Sequence, residues 1–336
     1  MEAVYSLEAL PHGCPRPVAT IGNFDGMHLG HRQLIHDLVR RAEQIGGTST
    51  VVTFHPHPLQ VLAPGNAPRQ IQTLEQKLAT LAQLGTQLAV VIPFNRELAQ
   101  TSARDFALDI LWKKLGICEI YVGPNFSFGH RREGSFNLLR EIGAEVGFVV
   151  GRIHQVQFRG NRVSSTAVRQ ALPGGQVALA RRLLGRPYSL EGEIVHGAAV
   201  GSNIRVPTAN LRTENELIPR MGVYVTILEV AGRRLGAVTN VGVRPTMAQP
   251  GSDPAVTIET HVLDFEEDLY GKRVSLEFLL RLRDERRFGD KQALVAQIRR
   301  DVMRARRYFS WVERTAPGLL SGARRESGGI CEDHKR

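Results

Sequence analysis

The stretch GNFDGMHLGH (22–31) carries the residue types and spacing that most directly suggest chemistry. Gly22, Gly26 and Gly30 recur every fourth residue, Asn23, Phe24 and Asp25 lie between them, and His28 and His31 close the stretch. Backbone N–H groups at a helix start point outward and carry partial positive charge, which suits a phosphate. Two imidazoles there can hydrogen-bond phosphate oxygens as negative charge builds up in a transition state. The dinucleotide pattern G-x-G-x-x-G is not met, and no G-x-x-x-x-G-K-[ST] occurs in the chain. His55 and His57 in FHPHP are candidate partners for a zinc site and equally suit a plain loop. A pair of surface histidines capping a helix also stays open on this stretch alone.

The flanking elements must position these groups. RPVATIG reads as a short strand ending at Gly22. HRQLIHDLVRRAEQIG follows as a helix, with Leu34, Leu38, Val39, Ala42 and Ile45 on one face and Gly46 as a stop. STVVTF, QLAVVIPF and CEIYVG read as further strands; TLEQKLATLAQLG, capped by Thr73, and SARDFALDILWKKLG read as helices. Repeated strand–helix units with continuous apolar strands imply a parallel sheet covered by helices, with ligands at the strands' carboxyl ends. Gly22, Phe54, Phe94 and Gly123 fall at such ends. Near residue 184 the pattern changes. LEGEIVHG, GVYVTILEV, LGAVTNVG, VTIETHVLDF and RVSLEFLLRL alternate every second residue, which predicts an antiparallel barrel or sandwich, and DKQALVAQIRRDVMRAR predicts a closing helix. The expected division is 1–183, 184–315 and a loose basic tail over 316–336.

Bulk properties narrow the classes. The chain has 336 residues, 42% hydrophobic and 23% charged, which fits two globular domains and argues against disorder. No apolar run is long enough to span a membrane, and MEAVYSLEALPHG lacks the basic-then-apolar order of a secretory signal, so no membrane partner and a cytoplasmic location are expected. Cys14, Cys118 and Cys331 lack metal-ligand spacing and read as unpaired thiols. The formal charge of +10 suits polyanions. The run RRDVMRARR (299–307) reads as a solvated helix face. Without interleaved aromatics or a DNA-binding motif, no nucleic-acid partner is expected.

GNFDGMHLGH resembles the H-x-G-H signature of the nucleotidyltransferase superfamily. With TFHPHPLQVL (53–62), FNRELAQTSARDF (94–106), VGPNFSFGHRREG (122–134) and RVSSTAVRQAL (162–172) following in order, it resembles the adenylyltransferase half of the bacterial bifunctional riboflavin kinase/FAD synthetase family. The resemblance implies a Rossmann-like parallel sheet, and a reaction in which the FMN phosphate attacks the α-phosphorus of ATP to give FAD and pyrophosphate. His28 and His31 would stabilise the transferring group, and Gly22, Asn23, Phe24, Asp25 and Gly26 would bind nucleotide. Ser164, Ser165, Thr166 and Arg169 offer hydroxyls, N–H groups and a guanidinium to the leaving pyrophosphate, although the same letters spell an ordinary N-capped helix. Asn125, Phe126, Phe128 and Arg131 would bind the flavin, with core packing open for Phe128.

The second half resembles that family's riboflavin kinase barrel through VPTANL (206–211), GVYVTI (222–227), TNVGVRPT (239–246) and residues 258–288, so that the two resemblances cover roughly 15–310. Thr208 and Asn210 point the same way in a strand, and two such oxygens suit Mg²⁺ carrying ATP phosphates. In VTIETHV, Val256, Ile258, Thr260 and Val262 share one face and Glu259 lies on the other. The resemblance makes Glu259 the base for the terminal ribityl hydroxyl of riboflavin; the pattern alone makes it a surface residue of an amphipathic strand. One loop departs from the family. In HGAAVGSNIRVPTAN (196–210), Ala199 and Val200 replace a glycine and an arginine, Ser202 replaces a second arginine, and Arg205 and Val206 replace a glycine and a phenylalanine. Fewer cations and glycines around the ATP phosphates are expected to weaken nucleotide binding, with a chain that only makes FAD as the alternative.

Overall fold

The computed structural model describes residues 1–10, 14–124, 126–153, 157–158, 161–196, 208–243, 256–286, 288–315 and 318–320. Asn125, the departing loop from 197 to 207, Cys331 and most of the tail lie outside the described residues. Two compact units divide the chain: one comprises 1–170, 182–185 and 215–217, and the other 171–181, 186–214 and 218–336.

The first unit is built on strands β1 (Glu2–Val4), β2 (Val18–Ile21), β3 (Ser49–His55), β4 (Leu88–Pro93), β5 (Glu119–Val122) and β6 (Val149–Arg152). They form one parallel sheet in the order β1-β4-β3-β2-β5-β6. Strand order reverses between β2 and β5, which is where such sheets open a crevice for ligands. The loops leaving those two strands are the GNFDGMHLGH and GPNFSFG stretches. Alternate strand residues feed two cores, which is why the strands read as continuous apolar runs. Val18, Val51, Ala89 and Val91 pack on Leu34, Ile35, Leu38 and Ala42 of α1 (Leu29–Ile45) and on Leu78 and Leu81. Ala19, Ile21, Val52, Val90 and Ile120 face the opposite core, with Phe106, Ile110, Leu111, Leu139 and Ile142.

Helix α2 (Pro58–Leu62) is short, and α3 (Leu74–Gln83) opens as expected at Thr73, whose hydroxyl accepts from Gln76 N at 3.2 Å. SARDFALDILWKKLG departs from an ordinary helix: α4 (Ala103–Asp105) runs into a π-helical stretch over Phe106–Lys114. Its apolar pairs at 106/107 and 110/111 fall on a narrower arc in that wider turn. β1, β6 and α5 (Phe136–Val146), capped by the Ser135 hydroxyl, add to the elements expected from the sequence. A two-residue hairpin, β7 (Gln157–Phe158) with β8 (Asn161–Arg162), precedes α6 (Ser165–Ala171) and α7 (Val177–Leu184).

In the second unit the alternating strands close on themselves. β9 (Tyr188–Val195), β10 (Ala209–Thr213), β11 (Gly222–Val230), β12 (Arg233–Val243), β13 (Val256–Val262) and β14 (Arg273–Arg283) form a barrel in the order β10-β13-β12-β11-β14-β9. Closure removes unpaired edges, which decides between barrel and sandwich. The helix α8 (Lys291–Thr315) lays Ala305 and Phe309 over Val225, Ile227 and Val238. Gly236 makes room for it, since a Cβ there would sit 2.9 Å from the Phe309 ring.

Three buried threonines form a ladder: Thr226 Oγ1 lies 2.8 Å from Thr239 Oγ1, which lies 3.0 Å from Thr260 Oγ1. Replacing the middle hydroxyl leaves both neighbours short of a partner. Thr239→Val is expected to destabilise this unit by about 1–3 kcal/mol, read from its denaturant midpoint.

Candidate active sites

The loop after β2 is tightly wound. Phe24 and Met27 take positive φ angles of 46° and 44°, and Gly26 takes 83°. A Cβ on Gly26 would lie 2.9 Å from Ile71 Cδ1, so both conformation and space require glycine. The Asp25 carboxylate is 3% exposed and pins the loop. It accepts from Ile71 N at 3.0 Å and Gln72 N at 3.2 Å, and it pairs with Arg169 Nη2 at 2.5 Å. Arg169 also donates from Nε to Arg69 O at 2.9 Å, so its guanidinium is anchored on two sides. Ser165 donates to Asp25 O at 2.8 Å, and Ser164 caps α6 by accepting from Ala167 N at 3.2 Å. Thr166 is exposed. SSTAVR is thus an N-capped helix that is also brought against the glycine loop.

His28 caps α1: its Nδ1 accepts from His31 N at 3.3 Å. In the neutral ring the proton therefore sits on Nε2, which makes that nitrogen a donor. The His28 and His31 rings stack with centroids 3.7 Å apart, and the Phe24 ring meets His31 edge-on at 5.2 Å. His28 is 8% exposed, so these are not surface histidines. Nδ1 of His31 is buried without a hydrogen-bond partner among the described residues. Burial, then the neighbouring His28 and Lys77, push the His31 proton affinity well below its ordinary value. His57 completes the rim: Nδ1 accepts from Leu59 N at 3.2 Å and Nε2 lies 3.1 Å from Asn23 Nδ2. Both its ring nitrogens thus have protein partners. Among the described residues no group of three or more His, Cys, Asp or Glu is placed to hold a metal.

Across the switch point, Phe126 and Phe128 stack with centroids 5.1 Å apart. Phe128 is 8% exposed and belongs to the sheet core; Phe126 is half-buried against it. Arg131 is exposed, with φ 49°, on a turn held down by Glu133, whose Oε1 accepts from Ala103 N at 2.9 Å.

In the barrel, Asn210 of β10 lies opposite Glu259 of β13, which lies opposite Asn240 of β12. Directly opposed strand residues share a face, so the three form a polar row. Ile258, Thr260 and Val262 are buried, while Thr257, Glu259 and His261 are half-buried on the other side, so Glu259 faces away from the barrel interior. Thr208 is half-buried one residue before β10. Asn240 joins the row only through strand register. TNVGV contains it, but nothing local marks it.

A doubly wound sheet whose glycine loop and histidine pair meet at a helix start has the build of a nucleotidyltransferase; a small closed barrel with a polar row follows it. Family models match each half: FAD synthetase over residues 12–167 and riboflavin kinase over 184–309. Two bifunctional riboflavin kinase/FMN adenylyltransferases are similar along their length. That of Pseudomonas fluorescens is 38% identical over 91% of this chain and 96% of its own, and that of Escherichia coli K12 is 38% identical over 92% and 97%. The chain belongs to the bifunctional riboflavin kinase/FMN adenylyltransferase family. A crystal structure described as a macrolide-efflux protein from Streptococcus pneumoniae shares the fold, with a TM-score of 0.82 and 27% identity over 91% of this chain and 98% of that one.

The histidine environment gives a pH dependence. The folded-state pKa of His31 lies well below the ordinary 6.5, so the unfolded chain binds a proton there first as pH falls. Stability is therefore whole above about pH 6.5 and declines below it. Thermal unfolding at pH 8 and pH 5.5 is expected to show this loss, and His31→Gln is expected to flatten it. An equal loss in the variant would remove His31 as a cause.

Proposed function

We propose that this chain phosphorylates riboflavin to FMN in its barrel and adenylylates FMN to FAD, with release of pyrophosphate, in its parallel-sheet unit. The stacked His28–His31 pair at the start of α1 carries this reading, joined to the matches of both family models. Residues 1–183 are assigned to adenylylation and 184–315 to the kinase. ATP, riboflavin and FMN are the small-molecule substrates, and the cytoplasm, where ATP is made, is the assigned location.

In adenylylation the FMN phosphate is already an anionic nucleophile, so little proton transfer is needed. The work is positioning and charge stabilisation. Nε2–H of His28 and the ring of His31 stabilise the α-phosphoryl oxygens as charge builds. The loop from Gly22 to Gly26 presents backbone N–H groups to the nucleotide, with Asp25 holding its shape. Arg169, steadied by Asp25, and the start of α6 carry positive charge toward the leaving pyrophosphate. Asn125, Phe126, Phe128 and Arg131 form the flavin side, with Phe128 acting from the core as support for Phe126.

In the kinase reaction Glu259 takes the proton from the terminal ribityl hydroxyl as it attacks the γ-phosphorus of ATP. Asn210 lies directly opposite it in the strand pairing. The hydroxyl of Thr208 and the amide oxygen of Asn210 are hard neutral donors beside a carboxylate, a set that fits Mg²⁺. When bound, that ion would neutralise charge on the ATP phosphates.

Single-site variants separate the two activities. His28→Ala or His31→Ala is expected to lower FAD formation from FMN by about 10²–10³-fold and to leave FMN formation from riboflavin unchanged. Glu259→Gln is expected to do the reverse, by about 10²–10⁴-fold. Flavins resolved by chromatography report both; a histidine variant that stops only FMN formation would reverse the assignment. The departing loop gives a further outcome. The KM for ATP in riboflavin phosphorylation is expected to fall in Val200→Arg/Ser202→Arg, measured against the parent chain. An unchanged KM would mean that Arg205 already supplies the missing charge.

A further inference from the structure

Lys77 is 6% exposed, on a helix whose other buried positions, Gln76, Leu78, Thr80 and Leu81, carry no charge. Lysine is almost never buried without a partner. Here the one hydrogen bond among the described residues is a long one, from Nζ to Thr53 Oγ1 at 3.4 Å, and no carboxylate pairs with it. Thr53 is fully buried, and its hydroxyl donates in turn to Asn23 O at 3.4 Å. Asn23 then meets His57 through its side chain. A chain of contacts thus runs from Lys77 through Thr53 of β3 into the glycine loop and its rim.

We propose that Lys77 is a positioning residue for adenylyl transfer: from beneath the strand ends its buried ammonium steadies Thr53 and the Asn23 carbonyl, and sets fixed positive charge under the histidines that meet the phosphates. The proposal rests on this unit adenylylating FMN. The groups facing the ammonium come from every packed element. They are Asp25 from the glycine loop, His31 from α1, His55 at the end of β3 and His57 at the start of α2. Arg169 from α6 and Glu216 complete the surroundings by acting on His57. Lys77 lowers the proton affinity of His31, His55 and His57 together; in each case burial is the larger cause. Among the described residues Asp25 is the carboxylate that favours the ammonium, against the larger cost of its burial. A neutral His28 is needed in turn, because its Nδ1 must accept the His31 N–H. A substrate phosphate would complete the charge balance that the protein leaves open around Lys77.

The test uses the full chain, with FMN and Mg-ATP as substrates and with kcat and KM measured across pH. Lys77→Met is expected to lower kcat/KM for FAD formation by about ten- to hundredfold. It is also expected to move the acid limb of the profile toward higher pH, because the histidines then protonate more easily. Riboflavin phosphorylation by the same protein should be unchanged, which checks the fold of the preparation. Lys77→Arg should restore the limb. Thr53→Val keeps the ammonium and removes the hydroxyl relay, so it should slow the reaction with the limb in place. If Lys77→Met does not fold, the last two variants decide, and a Thr53→Val enzyme as fast as the parent overturns the proposal. A Lys77→Met enzyme with the parent's rate and acid limb overturns it while leaving FMN adenylylation intact. A parent chain that makes no FAD from FMN overturns both.

Discussion

The buried carboxylate of Asp25 is the constraint on which the adenylylation unit depends. Taking a carboxylate out of water costs several kcal/mol unless charge and hydrogen bonds replace the water. The replacements come from distant parts of the chain: two backbone N–H groups at Ile71 and Gln72, and a guanidinium from Arg169, which is 144 residues away in sequence. The carboxylate is satisfied only when the glycine loop, the segment before α3 and the helix α6 are together. Those segments also bring the histidine pair and the Ser164–Arg169 turn to one place. The same contacts therefore hold these segments together and set the arrangement of the candidate site.

The same economy explains the histidines. The Nδ1 of His28 is used for capping α1, which fixes its tautomer and leaves a donor on Nε2. Stacking against His31 and contact with Phe24 hold both rings in place before substrate arrives. Such preorganisation is the main contribution that a protein can make when the nucleophile is already an anion. The barrel solves a different problem. Its nucleophile is a neutral hydroxyl, so it needs a base; Glu259, the base in the proposed reaction, is placed by strand register between Asn210 and Asn240 on the face away from the barrel interior.

Much of this was legible in the sequence because the decisive signals are local. The glycine spacing and the following amphipathic run place His28 and His31 at a strand–helix junction, and two-residue alternation places Glu259 on the outer face of β13. Other features depend on contacts between distant segments. Arg169 looks like a free phosphate ligand until α6 is seen against Asp25. Lys77, in TLEQKLATLAQLG, looks like a solvated helix residue; only the packing of α3 against the sheet buries it. Asn240 needs the β12–β13 register, and the π-helical stretch after Asp105 needs hydrogen bonds that run one residue beyond the ordinary helical pattern, such as Leu115 N to Ile110 O at 2.9 Å. Phe128 reads as either flavin contact or core, and burial shows it packed in the core.

The most direct measurement is a time course of the purified chain with riboflavin and Mg-ATP, flavins being separated by chromatography, beside a second course started from FMN. Two coupled sites of the kind described here predict FMN rising and then giving way to FAD in the first course, and FAD forming without delay in the second. A second course in which FMN persists and no FAD forms would contradict the assignment of the histidine-lined glycine loop to adenylyl transfer.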